Sequence, residues 1–319
     1  MAAKTGNAVS DSRTVSGKKT LVKIKKAWQL YLMLLLPVIY IILFKYVPMV
    51  GIILAFKKYT AAGGIFDSEW VGLYQFKKLF GSYQFLRIFK NTLAVAVYSL
   101  AAGFPFPIIL ALLLNATVNK KFKKTVQMVT YLPHFISVVV MVGILSQMFN
   151  VRTGLYGSMA GFLGIEPVDV LGMPQAFRHL YVWSGIWQNM GWGTILYLAV
   201  LSSIDVGLHE AAVIDGASRF KRLIHIDMPA LAPTVVIVLI MRCGQIMGVG
   251  FEKVFLLQNS LNQSTSEVIS TYSYKVGLLN GGGDFSYSTA IGLFNSVVNF
   301  VLLITVNFIS RKVSDTSLF

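Results

Sequence analysis

The sequence has little charge and almost no cysteine. Charged residues make up 13% of its 319 residues, where a soluble domain has roughly 25%. The single cysteine, Cys243, excludes a disulfide within the chain. The four histidines, His134, His179, His209 and His225, lack the close spacing of metal ligands. The composition therefore argues against a soluble domain, a disulfide framework and a metal site.

Apolar residues are abundant instead, at 55% of the chain with a mean hydropathy of +0.66. The net charge of +15 does not indicate nucleic acid binding, because the basic residues cluster between apolar runs and form no single face. A bilayer core requires about 20 apolar residues per helix. We therefore expect an all-α integral membrane protein with a bundle of six transmembrane helices. The predicted spans are residues 29–55, 92–114, 126–149, 180–203, 231–251 and 288–309.

The distribution of lysine and arginine predicts how these spans are oriented. Sixteen of these residues lie in the two tails and in the second and fourth loops, against ten on the other side. Because basic residues concentrate on the cytoplasmic side, both termini are predicted to be cytoplasmic. The chain then divides into a basic cytoplasmic tail (1–27), a transmembrane domain (28–311) and a short cytoplasmic tail (312–319).

Four local features carry further expectations. The first span contains Lys45 and Pro48, so its helix is expected to stop near Tyr46 and to continue along the interface. Residues 70–90 are amphipathic and aromatic, which predicts a helix lying on the outer surface. Gly244 and Gly248 have the spacing of a helix-packing motif. A turn is expected at Gly281-Gly282-Gly283, between the last two spans.

Two absences limit the mechanism. The chain has no G-x-x-x-x-G-K-[ST] phosphate loop, so ATP is expected to be hydrolysed by a separate protein. The predicted spans hold no aspartate or glutamate, which ion-coupled secondary transporters commonly use as relays. Secondary transport therefore remains only as an alternative. Catalytic residues are not expected, because the spans contain no paired carboxylates and no nucleophile–base pair.

The loop between spans four and five, residues 204–229, is the most informative stretch. Its sequence predicts two short helices joined at Asp215-Gly216, where the glycine supplies a turn conformation. Two alanines beside Glu210 permit a close backbone approach, and basic residues occupy the second half. Pro229 is expected to open the fifth span, because proline is well tolerated in a first helical turn.

This loop resembles the cytoplasmic signature of binding-protein-dependent ABC importer permeases. The signature has the pattern E-A-A, three residues, G, nine residues, I, one residue, L-P. Its positions are filled here by Glu210, Ala211, Ala212, Gly216, Ile226 and Pro229, with Met228 of similar volume in place of the leucine. Further segments are similar to the carbohydrate branch of that family and to its permeases for polysaccharide fragments and oligosaccharides. These segments are Tyr46–Met49, Trp70–Leu73, Phe89–Thr92 and Phe285–Ala290.

The resemblance implies a function and a set of partners. The chain would be a permease in a bacterial cell membrane, forming half of an oligosaccharide path, with a second homologous permease as its heterodimer partner. An extracytoplasmic solute-binding protein would deliver the sugar. A cytoplasmic ATPase dimer would bind ATP and Mg and dock on the loop, so this chain would need no cofactor. An ABC permease for a non-sugar solute remains a further alternative. The implied ATPase-coupling residues are Glu210, Ala211, Ala212, Asp215, Gly216, Phe220, Ile226 and Pro229.

Polar residues inside the spans are candidates for the translocation path, because they are costly in lipid and tend to face the interior. Amides could recognise sugar hydroxyls, and tryptophans could stack on sugar faces. The same amides could instead hold helices together, and the tryptophans could anchor at the interface. Both interpretations stay open for the eight candidates, which are Gln147, Trp187, Gln188, Trp192, Arg242, Gln245, Asn295 and Asn299.

Overall fold

The computed structural model describes residues 26–279, 281 and 283–313. Most of the two predicted tails and the centre of the predicted Gly281–Gly283 turn therefore lie outside the described residues. The chain divides into two compact units, residues 1–53 and residues 54–319, which are described separately.

The described part of the first unit, from residue 26 onward, contains one helical stretch whose type changes along its length. Helix α1, Trp28–Ile41, continues as a π-helical turn, Ile42–Tyr46, and then as a 3-10 helix, Val47–Phe56, that runs into the second unit. The backbone therefore stays helical beyond Tyr46, where the sequence predicted an end. The change to 3-10 type coincides with Pro48, which has no N–H to continue the α-helical ladder.

Among its described residues, the second unit combines helices and connecting loops with one small hairpin, which the sequence did not predict. Strands β1, Lys57–Thr60, and β2, Gly64–Trp70, pair antiparallel. Eight helices follow as far as the fourth predicted span and the loop after it. They are α2 (Tyr74–Gly81), α3 (Tyr83–Gly103), α4 (Pro105–Ala116), α5 (Lys120–Tyr131), α6 (Val138–Met148), α7 (Leu155–Phe162), α8 (Pro174–Ser202) and α9 (Val206–Ile214).

Six further helices complete the described chain. They are α10 (Arg219–Arg222), α11 (Met228–Cys243), α12 (Phe251–Leu257), α13 (Gln263–Ser266), α14 (Ile269–Tyr274) and α15 (Phe285–Val313). π-helical turns at Leu223–Asp227 and Lys275–Leu279 precede α11 and follow α14.

Four helical stretches are long and apolar enough to cross a membrane, and the number rises to six when each of two bent pairs is counted as one span. The four are Trp28–Phe56, Tyr83–Ala116, Arg219–Cys243 and Phe285–Lys312. The bent pairs are Lys120–Phe135 with Val138–Met148, at 100°, and Pro174–Ser202 with Val206–Ile214, at 70°. The prediction of six spans is thus met only with bent elements.

The third predicted span, 126–149, is broken rather than continuous. A short 3-10 turn, Leu132–Phe135, contains Pro133, and α6 restarts after Ser137, whose hydroxyl accepts the Val140 N–H at 3.3 Å. Proline breaks an α-helix because it has no N–H to donate and its ring clashes with the carbonyl four residues earlier. The Gln188 side-chain amide donates to the Ile136 carbonyl at 2.8 Å and so satisfies the broken backbone.

Two more helix boundaries differ from the prediction. Residues 70–90 do not form one interfacial helix, because the chain bends at Ser82, which caps α3. Helix α11 begins at Met228 with Pro229 in its first turn, as predicted, but helical structure already starts at Arg219 and ends at Cys243 instead of residue 251. Gly244 and Gly248 therefore lie beyond the helix, although a Cβ at Gly244 would be 2.5 Å from Leu303 of α15. Gly244 therefore packs closely against α15, but the two glycines do not form a packing motif within a helix.

Helix α8 lies at the centre of the second unit and packs against α3, α4, α5 and α11. A buried apolar cluster joins α4, α8 and α11 and includes Leu112, Tyr197 and Leu231. Helices α5 and α8 approach closely, because a Cβ at Gly191 would lie 2.1 Å from the Thr130 carbonyl oxygen. Glycine is required there to bring the two backbones together.

Candidate coupling surface and translocation path

The loop 204–229 has the two-helix form that its sequence predicts. Asp205 caps α9, and its carboxylate accepts the Gly207 N–H at 2.9 Å. The helix closes at Gly216, which has φ +76°, while the Ala217 N–H donates to the Ala212 carbonyl at 2.8 Å. A left-handed glycine after the last turn is a common helix C-terminal cap. Ser218 then caps α10 through the Lys221 N–H at 3.3 Å.

The eight predicted coupling residues lie on this loop, mostly exposed. Ala212 and Ile226 are half-buried, whereas the other six face outward. Large apolar side chains stand out beside them, with Ile214 86% and Phe220 69% exposed. Exposed apolar groups at the tip of a well-capped turn are typical of a docking surface.

One contact in this region had no signal in the sequence. The Nε2 atom of His209, on α9, lies 3.4 Å from the Oδ1 atom of Asp227, in the π-helical turn before α11. Asp227 is buried. The contact links the exposed helix to the beginning of the fifth span.

The candidate path consists of three cavities that all have Arg242 in their walls. Their volumes are 560, 500 and 190 Å³. The 560 Å³ cavity also contains Gln245, and the 500 Å³ cavity contains Gln188 and Trp192. Four of the eight predicted path residues are therefore brought together on adjoining surfaces.

The other four path candidates lie elsewhere. Trp187 lines a separate, apolar pocket of 540 Å³ with Met141 and Trp183. Gln147 is exposed near the end of α6. Asn299 accepts the Met247 N–H at 3.0 Å and so satisfies the backbone after the fifth span. Asn295 is half-buried on α15, in the wall of none of these cavities.

The amides and rings in the 500 Å³ cavity are already engaged with other protein groups. Gln188 donates to the Ile136 carbonyl, and Asn189 donates to the Gly185 carbonyl at 3.0 Å. Trp192 stacks on His134 with ring centroids 4.5 Å apart. These contacts hold the amides and the ring in place, while each side-chain amide has further donor and acceptor capacity.

Lys253, on α12, is a wall residue of the same cavity that the sequence did not single out. It is 8% exposed, its ammonium donates to the Tyr181 carbonyl at 2.7 Å, and it lies 4.7 Å from the centre of the Tyr181 ring. Burial lowers the pKa of Lys253 to about 8, so the protonated form still predominates at neutral pH. The available signal was a lysine in the largely apolar segment Phe251–Leu257, where Glu252 precedes it.

A family model for the inner membrane component of binding-protein-dependent transport systems matches residues 103–315. The chain belongs to this family. It is 41% identical to protein LplB of Bacillus subtilis over 303 residues, 95% of each chain. It is 42% identical over 302 residues to YteP of the same organism, a polygalacturonan/rhamnogalacturonan transport system permease protein, covering 95% of this chain and 94% of YteP.

A solved structure extends the likeness to the whole transmembrane fold of this transport component. In the crystal structure of a bacterial alginate ABC transporter in complex with an alginate pentasaccharide-bound periplasmic protein, one chain matches with a TM-score of 0.84 and 39% identity. The match covers 93% of this chain and 98% of that chain. The family resemblance and the permease-type helical fold predicted from the sequence are thereby confirmed. The chain is a transport subunit and not an enzyme.

Proposed function

We propose that this permease forms half of the path through which a bacterial ATP-driven importer moves an oligosaccharide across the cytoplasmic membrane. The observation that carries the proposal is the full-length likeness to permeases of saccharide transporters, including YteP and the alginate transporter. A non-sugar solute has no comparable support, and membership of a binding-protein-dependent family argues against ion-coupled transport.

The energy for import would come from a separate ATPase dimer that binds ATP and Mg and docks on the loop 204–229. The capped turn at Gly216 and the exposed Phe220 support this role, because they present an apolar, ordered surface. Glu210 and the basic residues of α10 lie beside it and add charge complementarity to the docking.

The remaining partners lie in and beyond the membrane. A second, homologous permease would complete the path as a heterodimer, and a solute-binding protein would deliver the sugar from outside. The basic loop and tails favour a cytoplasmic position for both termini. The alginate transporter structure, which includes a periplasmic protein, supports a binding-protein partner.

Reconstitution tests this proposal. We expect proteoliposomes that hold this chain, its partner permease, the ATPase dimer and the binding protein to import labelled oligosaccharides only when ATP is supplied at the ATPase side. The purified chain alone should neither bind nor hydrolyse ATP. Import driven by an ion gradient without ATP, or specific ATP turnover by the isolated chain, would contradict the proposed division of labour.

A further inference from the structure

Two cations share the wall of the 500 Å³ cavity, and no carboxylate lines that wall. These are Arg242, at the end of α11, and Lys253, on α12. Within residues 26–279, 281 and 283–313, no aspartate or glutamate lies within 4.0 Å of either cation as an ion-pair partner. None of the acidic residues in that part of the chain lines the three cavities.

The burial of Lys253 needs a physical reason. A charged group removed from water costs several kcal/mol unless a partner compensates for it. The Tyr181 carbonyl and ring provide partial compensation, but both are neutral. The carbonyl also lies inside α8, where the helix already supplies a hydrogen-bond donor from the next turn. A purely structural contact would therefore not require a cation at this position.

The surroundings of Lys253 fix its position. The Tyr181 hydroxyl accepts the Gly250 N–H at 3.1 Å and holds the start of α12 against α8. A Cβ at Gly185 would lie 3.2 Å from the Lys253 ammonium, so glycine leaves room for the charged group. One of the three ammonium hydrogens is used by the carbonyl, and the remainder can serve a group in the cavity.

We infer that Lys253 and Arg242 form an anion-selective part of the path, which binds the carboxylates of an acidic oligosaccharide during its passage. The inference rests on the proposed function and specifies the class of sugar. Charge distinguishes this cavity, because two cations line its wall and no carboxylate does. Lysine and arginine form strong, charge-assisted hydrogen bonds with carboxylates.

The test compares a galacturonate trisaccharide with a galactose trisaccharide of the same linkage in the reconstituted transporter. For each probe, uptake by a variant is divided by wild-type uptake, which cancels the preference of the binding protein. We expect Lys253→Met to lower uptake of the galacturonate probe by about tenfold to a hundredfold, the range of one charge-assisted hydrogen bond. Uptake of the galactose probe should be unchanged, and Lys253→Arg should retain most galacturonate uptake.

Controls separate this role from folding and from lipid binding. Lys124→Met removes an exposed lysine of α5, outside the cavities, and should leave both ratios unchanged. Lys253→Met is compared with the wild type at matched membrane levels and after assembly with its partner subunits, and ATPase activity without sugar should stay at the wild-type level in Lys124→Met. The assay is repeated in phosphatidylcholine vesicles with and without phosphatidylglycerol. A loss that requires phosphatidylglycerol would assign the two cations to lipid headgroups and overturn the inference.

Three other results would also overturn it. Two concern Lys253→Met: an equal loss of uptake for both probes, or no loss for the galacturonate probe. In the third, the wild-type transporter takes up the galactose probe but not the galacturonate probe. Each of these leaves ATP-driven oligosaccharide import standing. Failure of the wild-type transporter to import any oligosaccharide would instead remove the proposed function itself, together with the sugar class inferred from it.

Discussion

The loop 204–229 and the segment 244–284 follow opposite rules of construction. The loop is held by bonds between near neighbours, such as Ala217 to Ala212, and most of its side chains are exposed. The segment is held by residues far away in sequence, as when Lys253 bonds to Tyr181. The comparison teaches that an exposed, capped turn can be encoded locally, whereas a cavity wall requires the whole fold.

The buried carboxylate of Glu267 shows this dependence on distant residues most clearly. It lies 2.7 Å from Arg87 and 3.1 Å from Lys275, and it is joined by Gln263. Burial by itself raises the pKa of Glu267, but the hydrogen bonds from Gln263 and Lys275 and the charges of Lys275 and Arg87 outweigh it, so the pKa is lowered. This cluster joins α3 to the segment 244–284.

The largest effect is expected from breaking the local turn. Gly216→Val should abolish ATP-driven uptake while leaving membrane insertion intact. The expected loss comes from backbone strain, because Gly216 has φ +76°. A steric clash is not the reason, since a Cβ there would meet no other atom within 4 Å. A β-branched residue strongly disfavours this region. Uptake and ATPase binding are measured at matched membrane levels.

Gly216→Asn provides the matched control, because asparagine tolerates the left-handed region better than other side chains. It should retain much of the uptake. If Gly216→Val transports as well as the wild type, the loop has no coupling role.

The next largest effect tests the long-range side of the comparison. Glu267→Gln should reduce the free energy of unfolding by about 1–3 kcal/mol, because it removes a buried charge that receives charged hydrogen bonds. Thermal unfolding of the purified transporter measures the change. Since the pKa of Glu267 is lowered in the fold, its stabilisation is present above its usual pKa of 4.5 and is lost as the pH falls through the lowered value.

The exposed pair Lys78–Asp284 is the control for this variant. Its atoms are 2.7 Å apart, but its side chains are 44% and 39% exposed. Asp284→Asn should therefore cost about 0–1 kcal/mol. Equal shifts for the two variants would show that the Glu267 cluster does not hold the segment in place.

A smaller effect is expected at Arg242, which lies between the two regions. Arg242→Met should lower uptake of an acidic oligosaccharide about tenfold, because it removes one charge-assisted hydrogen bond to a carboxylate from the path. Arg242→Lys should keep part of the activity, since the charge remains but the planar fork of donors is lost. Uptake is compared at matched membrane levels. Near-normal transport in both variants would leave Arg242 only an anchoring role at the membrane surface.

The smallest effect concerns pH. Uptake of an acidic oligosaccharide should decline as the pH rises through about 8, because the lowered pKa of Lys253 lets it lose its charge there. Arg242, the other cation of the cavity, stays charged throughout. Initial rates between pH 6.5 and 9 measure the decline. Lys253→Arg should flatten the profile, and an unchanged profile in that variant would place the titrating group elsewhere.

The sequence alone determined the class of the protein, the family and the two-helix form of the loop 204–229, because those depend on composition and on short spacings. The helix that carries Glu210-Ala211-Ala212 and the turn at Gly216 could be predicted, since their hydrogen bonds join residues that are close in sequence. The approximate positions of the apolar spans follow from the same local logic, although Pro133 and Gly244 changed where helices break.

Only the tertiary structure decided which polar side chains share a cavity. The sequence proposed eight path residues on equal terms, but the fold placed Gln188, Trp192, Arg242 and Gln245 along adjoining walls and used Asn299 to satisfy a helix end. It also buried Lys253 against Tyr181, a residue 72 positions away. Helical periodicity shows which face a residue occupies, but the partner that meets that face depends on how distant helices pack.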